Sequence, residues 1–268
     1  EYTPQSRVFI RAQVEDNPVY MATGYDKQLE SLPEPLRSQL RYSDFSTTVR
    51  DDQWQAIPTD WIIQAQNRYL ENHAPDTSLL AAGVDPSRGG SDETVICLLK
   101  LARFDLLTYA GQSVPNGAVA AKLVSDAIGS DNPPIAVDAI GIGSSVYDHL
   151  AAMPGIEVYA VNVGEASTAR DKTGRYEFFN LRSQLVWQLR EMLDPASGHN
   201  IELPPDVQLR NDLRAARYSV VGGKIKIESK DDIRKRIGRS PDRGDAVMLA
   251  AYIAYNRPKL TVGRVDWW

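Results

Sequence analysis

Cysteine is almost absent: Cys97 is the only one in 268 residues. An intramolecular disulfide is therefore impossible, and a reducing compartment is expected. Cys97 lies in the apolar run Thr94-Val95-Ile96-Cys97-Leu98-Leu99, so its thiol is expected to pack in a buried strand and not to react. Histidine is scarce as well, with His73, His149 and His199 scattered along the chain. Such spacing speaks against a zinc site and against a serine–histidine–aspartate triad. No apolar stretch approaches the ~18 residues needed to cross a bilayer, and no signal-peptide pattern follows Glu1, so a soluble cytoplasmic protein is expected. Also missing is Gly-x-x-x-x-Gly-Lys-Ser/Thr, the backbone cradle for nucleotide phosphates. Val221-Gly222-Gly223-Lys224 is too short for it and falls in a hairpin. Finally, positive charge is not in excess. Lys and Arg number 30 against 35 Asp and Glu, a formal net charge of −5. That argues mildly against a nucleic-acid partner, unless the acids are gathered to hold cations.

What is present suits one sizeable domain with a smaller attached segment. The chain is 43% hydrophobic and 24% charged, and its core is large enough to need no disulfide or structural metal. Residues 1–75 read as small elements: a short strand at Val8-Phe9-Ile10, a turn at Asp16-Asn17-Pro18, helical spacing over 20–40 interrupted at Pro33 and Pro35, and a helix over 62–70. His73-Ala74-Pro75-Asp76 reads as a linker. From residue 76 to 256 the pattern sharpens. Apolar strands are expected at 79–84, 94–100 and 103–109, joined by short connections that make them antiparallel neighbours. Helices at 117–128 and 144–152 then alternate with strands at 134–138 and 157–161. Phe178, Phe179, Leu185, Val186, Leu189 and Met192 recur at helical spacing. A hairpin over 218–228 turns at Gly222-Gly223, a basic helix covers 231–237, and Ser240-Pro241 opens a last helix to about residue 255, with serine as N-cap. Residues 257–268 form a tail. Three strands followed by alternating helices and strands give an α/β domain with a mixed sheet.

Three aspartates stand where chemistry is plausible. Asp85 ends the strand Ala82-Gly83-Val84-Asp85, and Asp138 ends Ile135-Ala136-Val137-Asp138. Asp245 lies early in the last helix, with Asp242 on the same face as a weaker fourth candidate. Singly, each has an ordinary explanation: Asp85 a turn with Pro86, Asp138 a cap for the next helix, Asp242 a partner of the helix dipole. Together they make an oxygen-rich cluster that is costly to bury unless it binds a hard cation such as Mg²⁺ or Mn²⁺. Gly141-x-Gly143 lacks the third glycine of a dinucleotide loop and more simply lets a backbone or phosphate approach a helix start.

The motifs carrying these acids resemble those of the nuclease domain of tailed-phage terminase large subunits, in the RNase H-like superfamily. Gly83-Val84-Asp85-Pro86-Ser87-Arg88-Gly89-Gly90-Ser91-Asp92-Glu93-Thr94 is similar to the family's first nuclease motif, and Val137-Asp138-Ala139-Ile140-Gly141-Ile142-Gly143 to its second. Lys230-Asp231-Asp232 through Arg239-Ser240-Pro241-Asp242-Arg243-Gly244-Asp245-Ala246 resembles the third. Phe179-Asn180-Leu181-Arg182 and Leu203-Pro204 extend the likeness over residues 79–255. Glu34-Pro35-Leu36-Arg37-Ser38-Gln39-Leu40 resembles the connector between ATPase and nuclease, which makes residues 1–75 a connector segment. The resemblance implies an RNase H-like fold with Asp85, Asp138 and Asp245 as catalytic metal-binding acids. It further implies an endonuclease cutting concatemeric DNA in the cytoplasm of the bacterial host, with terminase small subunit and capsid portal as partners. The motor half has no counterpart here, so a fragment is expected.

Two Mg²⁺ or Mn²⁺ ions about 4 Å apart would serve phosphodiester hydrolysis, with Asp85 as the bridging ligand. Between Lys224 and Arg243 eight basic residues face four acids. Of these, Lys224, Lys226, Lys230, Arg234, Arg239 and Arg243 are the expected contacts to double-stranded DNA; a solvated helix face is the plainer alternative. Two rival functions share these residues. One is a cellular RNase H-like nuclease or junction resolvase, and the other a non-catalytic module that docks on a capsid portal.

Overall fold

The computed structural model describes residues 16–30, 51–90 and 92–256. The chain divides into two units, residues 1–52 and residues 53–268. In the first, α1 (Pro18–Ala22) is capped by the Asn17 side chain, which accepts from Val19 N–H, and α2 (Tyr25–Glu30) follows. The strand expected at residues 8–10, the helical stretch beyond residue 30 with the connector-like segment 34–40, Ser91, and the tail 257–268 lie outside the described residues.

The second unit begins at Gln53, so residues 53–75, read from the sequence as connector, belong to it. The reason is packing. Helix α3 (Thr59–Glu71) buries Ile62 and Ala65 in the main core. Its Gln66 amide donates to the carbonyls of Pro204 and Asp206, and Arg68 donates to that of Ile201.

Five strands form the central sheet: β1 (Ala81–Asp85), β2 (Glu93–Lys100), β3 (Arg103–Ala110), β4 (Ile135–Asp138) and β5 (Val158–Val161), in the order β3-β2-β1-β4-β5. The first three are antiparallel, while β4 and β5 run parallel to β1. A mixed sheet was expected, and this is one. Parallel neighbours need crossover connections, which α4 (Gly117–Ile128) and α5 (Ile142–Ala151) supply. Alternation along the strands sorts side chains to two faces. Ala82, Val84, Ile96, Ile135 and Val137 pack beneath α4 and α5. Val95, Cys97 and Leu99 face the other way, toward α6 (Leu181–Leu193) and α9 (Asp242–Tyr255). Cys97 is fully buried, as its apolar run implied.

Helix α9 is buried nearly all round and lies against β1, β2 and β4. Gly83 makes that approach possible, because a Cβ there would overlap the backbone of Ala246 and Ala250. Gly83→Ala is therefore expected to cost about 2 to 3 kcal/mol through overpacking, measured as a lowered denaturation midpoint. An unchanged midpoint would mean that α9 yields freely and is not held where it lies.

A second, three-stranded sheet has the order β6-β8-β7, formed by β6 (Glu177–Phe178), β7 (Tyr218–Val221) and β8 (Lys224–Ile227). The hairpin matches the sequence reading. In β8, Ile225 and Ile227 point into the core while Lys224 and Lys226 point out. Strand β6 and helix α7 (Val207–Ala215) were not anticipated. Phe178, counted as helical from its spacing, pairs instead with Ile225 in the small sheet, and α6 starts only after Asn180, whose side chain accepts from Ser183 N–H. Helix α8 (Lys230–Ile237) follows the hairpin, capped by Ser229. Among the described residues no helix is long and apolar enough to cross a membrane.

Candidate metal centre

Register brings the first two acids together. Val84 of β1 lies beside Val137 of parallel β4, so Asp85 and Asp138, one residue on, end adjacent strands at the same edge. Asp242 and Asp245 occupy the first turn of α9, which Gly83 lets pass close to β1. All four carboxylates are buried. Of the four acids the sequence singled out, Asp85, Asp242 and Asp245 lie around one lysine, and Asp138 ends the strand beside Asp85.

Lys230, read from the sequence as a DNA contact, has its ammonium among them. Its Nζ lies 2.9 Å from Asp85 Oδ2, 2.9 Å from Asp245 Oδ2 and 3.6 Å from Asp242 Oδ1. Arg182, at the start of α6, donates from Nη1 to Asp245 Oδ1 at 3.0 Å. Asp242 Oδ2 accepts from Glu93 N–H at 3.2 Å, and Asp138 Oδ1 from Ile140 N–H at 3.1 Å. Asp138 does not cap α5, whose N-cap is Gly141.

Charge sorts the acids. Burial pushes the Asp85 carboxyl well above its ordinary range; Lys230 pulls it back, while Asp245 and Asp242 add to the rise. Burial also raises Asp138, opposed by the Ile140 N–H and Lys230. Burial opposes ionisation of Asp245 too, but Arg182 and Lys230 outweigh it and hold this carboxyl below the usual value. Lys230 is driven the other way: the surrounding carboxylates, led by Asp245 and Asp85, raise its ammonium far above normal despite burial.

The N-terminus of α9 is held from three sides. Ser240, expected as its N-cap, is not: the helix begins at Asp242, and Pro241 stands at the N-cap without a side-chain cap. The cap comes from α7, where Asp212 Oδ2 accepts from the N–H groups of Arg243 and Gly244. This buried carboxyl is pushed up to about 7 by burial, against the lowering effect of Arg239, its ion-pair partner. Arg243 forks onto both Glu93 oxygens at 2.9 and 3.0 Å and also pairs with Asp206. Arg239 and Arg243 are thus spent on internal pairs behind the acids. Arg234 is half exposed, 3.1 Å from Asp92, at the rim of the acidic cavity. Lys224 pairs with Glu177 at 3.4 Å, and Lys226 lies over the Phe179 ring. The roles of Lys230, Arg182 and Asp212 were not read from the sequence. Lys230 and Arg182 stand in segments that resemble the family's motifs, whereas Asp212 carried no signal at all.

A cavity of about 560 Å³ opens on Asp85, Asp138, Asp242 and Lys230, with Arg88 and Arg234 at its rim. The donor chemistry suits a hard divalent cation. The oxygens belong to four buried carboxylates, of which Asp85 and Asp245 pair with Lys230 and Asp245 also with Arg182. Asp245 Oδ2, although near Lys230, makes no directional hydrogen bond. Among the described residues no three acidic, histidine or cysteine side chains are grouped so that they could hold an ion as they stand.

No family model and no curated protein matches the chain, but solved structures do. The nuclease domain of the large terminase subunit gp2 of bacterial virus Sf6 superposes with a TM-score of 0.57 at 17% identity, covering 73% of this chain and 97% of that one. A mutant of that domain with manganese and beta-thujaplicinol gives a TM-score of 0.57 at 16% identity over 73% and 97% of the two chains. The mutant with calcium gives 0.57 at 16% over 73% and 98%. At these identities the likeness is one of fold: the mixed five-stranded sheet flanked by helices is similar in fold to that nuclease domain.

Proposed function

We propose that this chain is the metal-dependent endonuclease domain of a phage terminase large subunit, cutting concatemeric viral double-stranded DNA during genome packaging. The observation that carries the reading is that buried Asp85 and Asp138 end adjacent parallel strands, with buried Asp242 and Asp245 on the first turn of the helix packed against β1. Asp85, Asp138 and Asp245, with Asp242 as a weaker fourth, would hold Mg²⁺ or Mn²⁺. The metal would supply a water activated for attack on phosphorus and positive charge for the departing 3′ oxygen.

The chain's own residues set the stage. Arg182 fixes the orientation of Asp245, Glu93 N–H that of Asp242, and Ile140 N–H occupies one oxygen of Asp138. Lys224, Lys226 and Arg234 would hold phosphates beside the cavity, sequence-indifferently and weakened by salt. Arg239 and Arg243 support the acids from behind. The small terminase subunit and the capsid portal are the proposed partners, and the host cytoplasm the place of action.

The test is cleavage of plasmid DNA by the purified chain. Cutting is expected with Mg²⁺ or Mn²⁺, little with Ca²⁺, whose loose coordination positions water poorly, and none in EDTA; ATP should make no difference. Cutting in excess EDTA overturns the reading. Failure to cut with any divalent metal favours a non-catalytic portal-docking module, and strict dependence on a branched junction favours a resolvase.

A further inference from the structure

Beside the acidic cavity lies a second hollow of about 730 Å³. Ile140, Val163, Ser229 and Lys230 line both, so the two are continuous along one wall. Its character is different. Phe179, Ile140 and Val221 are exposed hydrophobics along it, and Lys226 Nζ stands 4.8 Å from the centre of the Phe179 ring. Fold stability gives no reason for that ring to be in solvent. Phe179 precedes the Asn180 cap of α6, the place from which a hydrophobic residue usually packs on the fourth helical residue, but here that residue is Gln184. The ring is nonetheless carried on fixed backbone, since Phe179 N–H donates to Ile225 O at 2.9 Å.

We infer that this hollow is a nucleobase pocket, which takes an unpaired base of the DNA strand next to the phosphate being cut, stacked on Phe179 with its phosphate on Lys226. The inference rests on the nuclease reading above and adds that the substrate is locally single-stranded at the cut. Two observations and one property of duplex DNA select this occupant. Continuity with the acidic cavity means that whatever presents a phosphate there extends into the hollow. An aromatic face beside a lysine matches a nucleotide, which has a flat base and an anionic phosphate. Within a duplex, the base faces are covered by stacking and out of reach of Phe179, so a base must leave the stack to enter. Because the contact is stacking, the pocket accepts any base.

The test uses the full chain in Ca²⁺ with DNA carrying 2-aminopurine, either single-stranded or in a fully paired duplex. Stacking on Phe179 should quench the fluorescence of the single strand. Phe179→Ala should abolish that quenching and weaken single-strand binding about tenfold, moving duplex binding by less than twofold, while Phe179→Trp restores both signals. A duplex with an unpaired stretch should behave as the single strand does. Unchanged quenching and affinity in Phe179→Ala, or an equal loss on paired duplex, overturns the pocket and leaves the nuclease reading standing. Failure of the wild-type chain to bind either DNA overturns both.

Discussion

Asp85→Asn, Asp138→Asn and Asp245→Asn are each expected to reduce DNA cleavage by about a thousandfold or more, since each removes an anionic oxygen from the proposed metal site. Their effects on stability should diverge, and the divergence separates loss of chemistry from loss of fold. Asp85 is raised well above its ordinary range by burial. Its carboxyl therefore contributes stability that is full below the unfolded-state value and lost as pH rises through the folded one. At neutral pH in EDTA, Asp85→Asn should be neutral or stabilising. Asp245 is held low by Arg182 and Lys230, so its contribution is present above the unfolded-state value and lost as pH falls through the folded one. Asp245→Asn leaves Arg182, 7% exposed, without its 3.0 Å partner, at a cost of about 3 kcal/mol. Thermal melts in EDTA alongside plasmid nicking measure both quantities. Wild-type cutting by folded Asp138→Asn would sink the site assignment, and equal melting of the Asp85 and Asp245 variants would sink the charge assignment.

Lys230→Ala should give the largest loss of stability. Its ammonium lies within 3.6 Å of three buried carboxylates, and stripping a counter-ion from such a group costs about 3 to 5 kcal/mol, the lower end applying to a partly exposed lysine. The loss should appear in EDTA and shrink on adding Mg²⁺ or Mn²⁺. A divalent ion at 100 times its dissociation constant returns about 2.7 kcal/mol. Melting temperatures of wild type and variant across a metal titration read this directly. A variant that melts like wild type in EDTA, or that ignores metal, would show that the acids do not need a cation.

The parts of this architecture that were legible in the sequence are local. Strands β1 to β5 are short apolar runs closed by turn residues, and α4 has a clear period, so each could be read in place. Asp85 and Asp138 were legible because an acid ending an apolar strand is costly and therefore conspicuous. What was missed depends on distance. Lys230 sits in a basic stretch that locally looks like a phosphate-binding face, yet its partner Asp85 is 145 residues away. Asp212 caps a helix 31 residues on, which makes Ser240 redundant as a cap. Phe178 fits a helical period but is claimed by Ile225 of β8, because burial in the small sheet outweighs spacing. Arg239 and Arg243 count as basic residues in the sequence, but their charge is already matched by Asp212, Glu93 and Asp206.

Helix α9 bears two of the acids on its first turn and is also the most enclosed segment of the core. The amides of its buried middle are therefore expected to exchange with solvent late, in openings that also disturb the strands packed on it. The two acids of its first turn are tied to that same core. On the other side of the acidic cavity, α8 carries Lys230 and is by contrast mostly exposed, with Ile233 its one buried residue. Amide exchange should therefore reach α8 before it reaches α9.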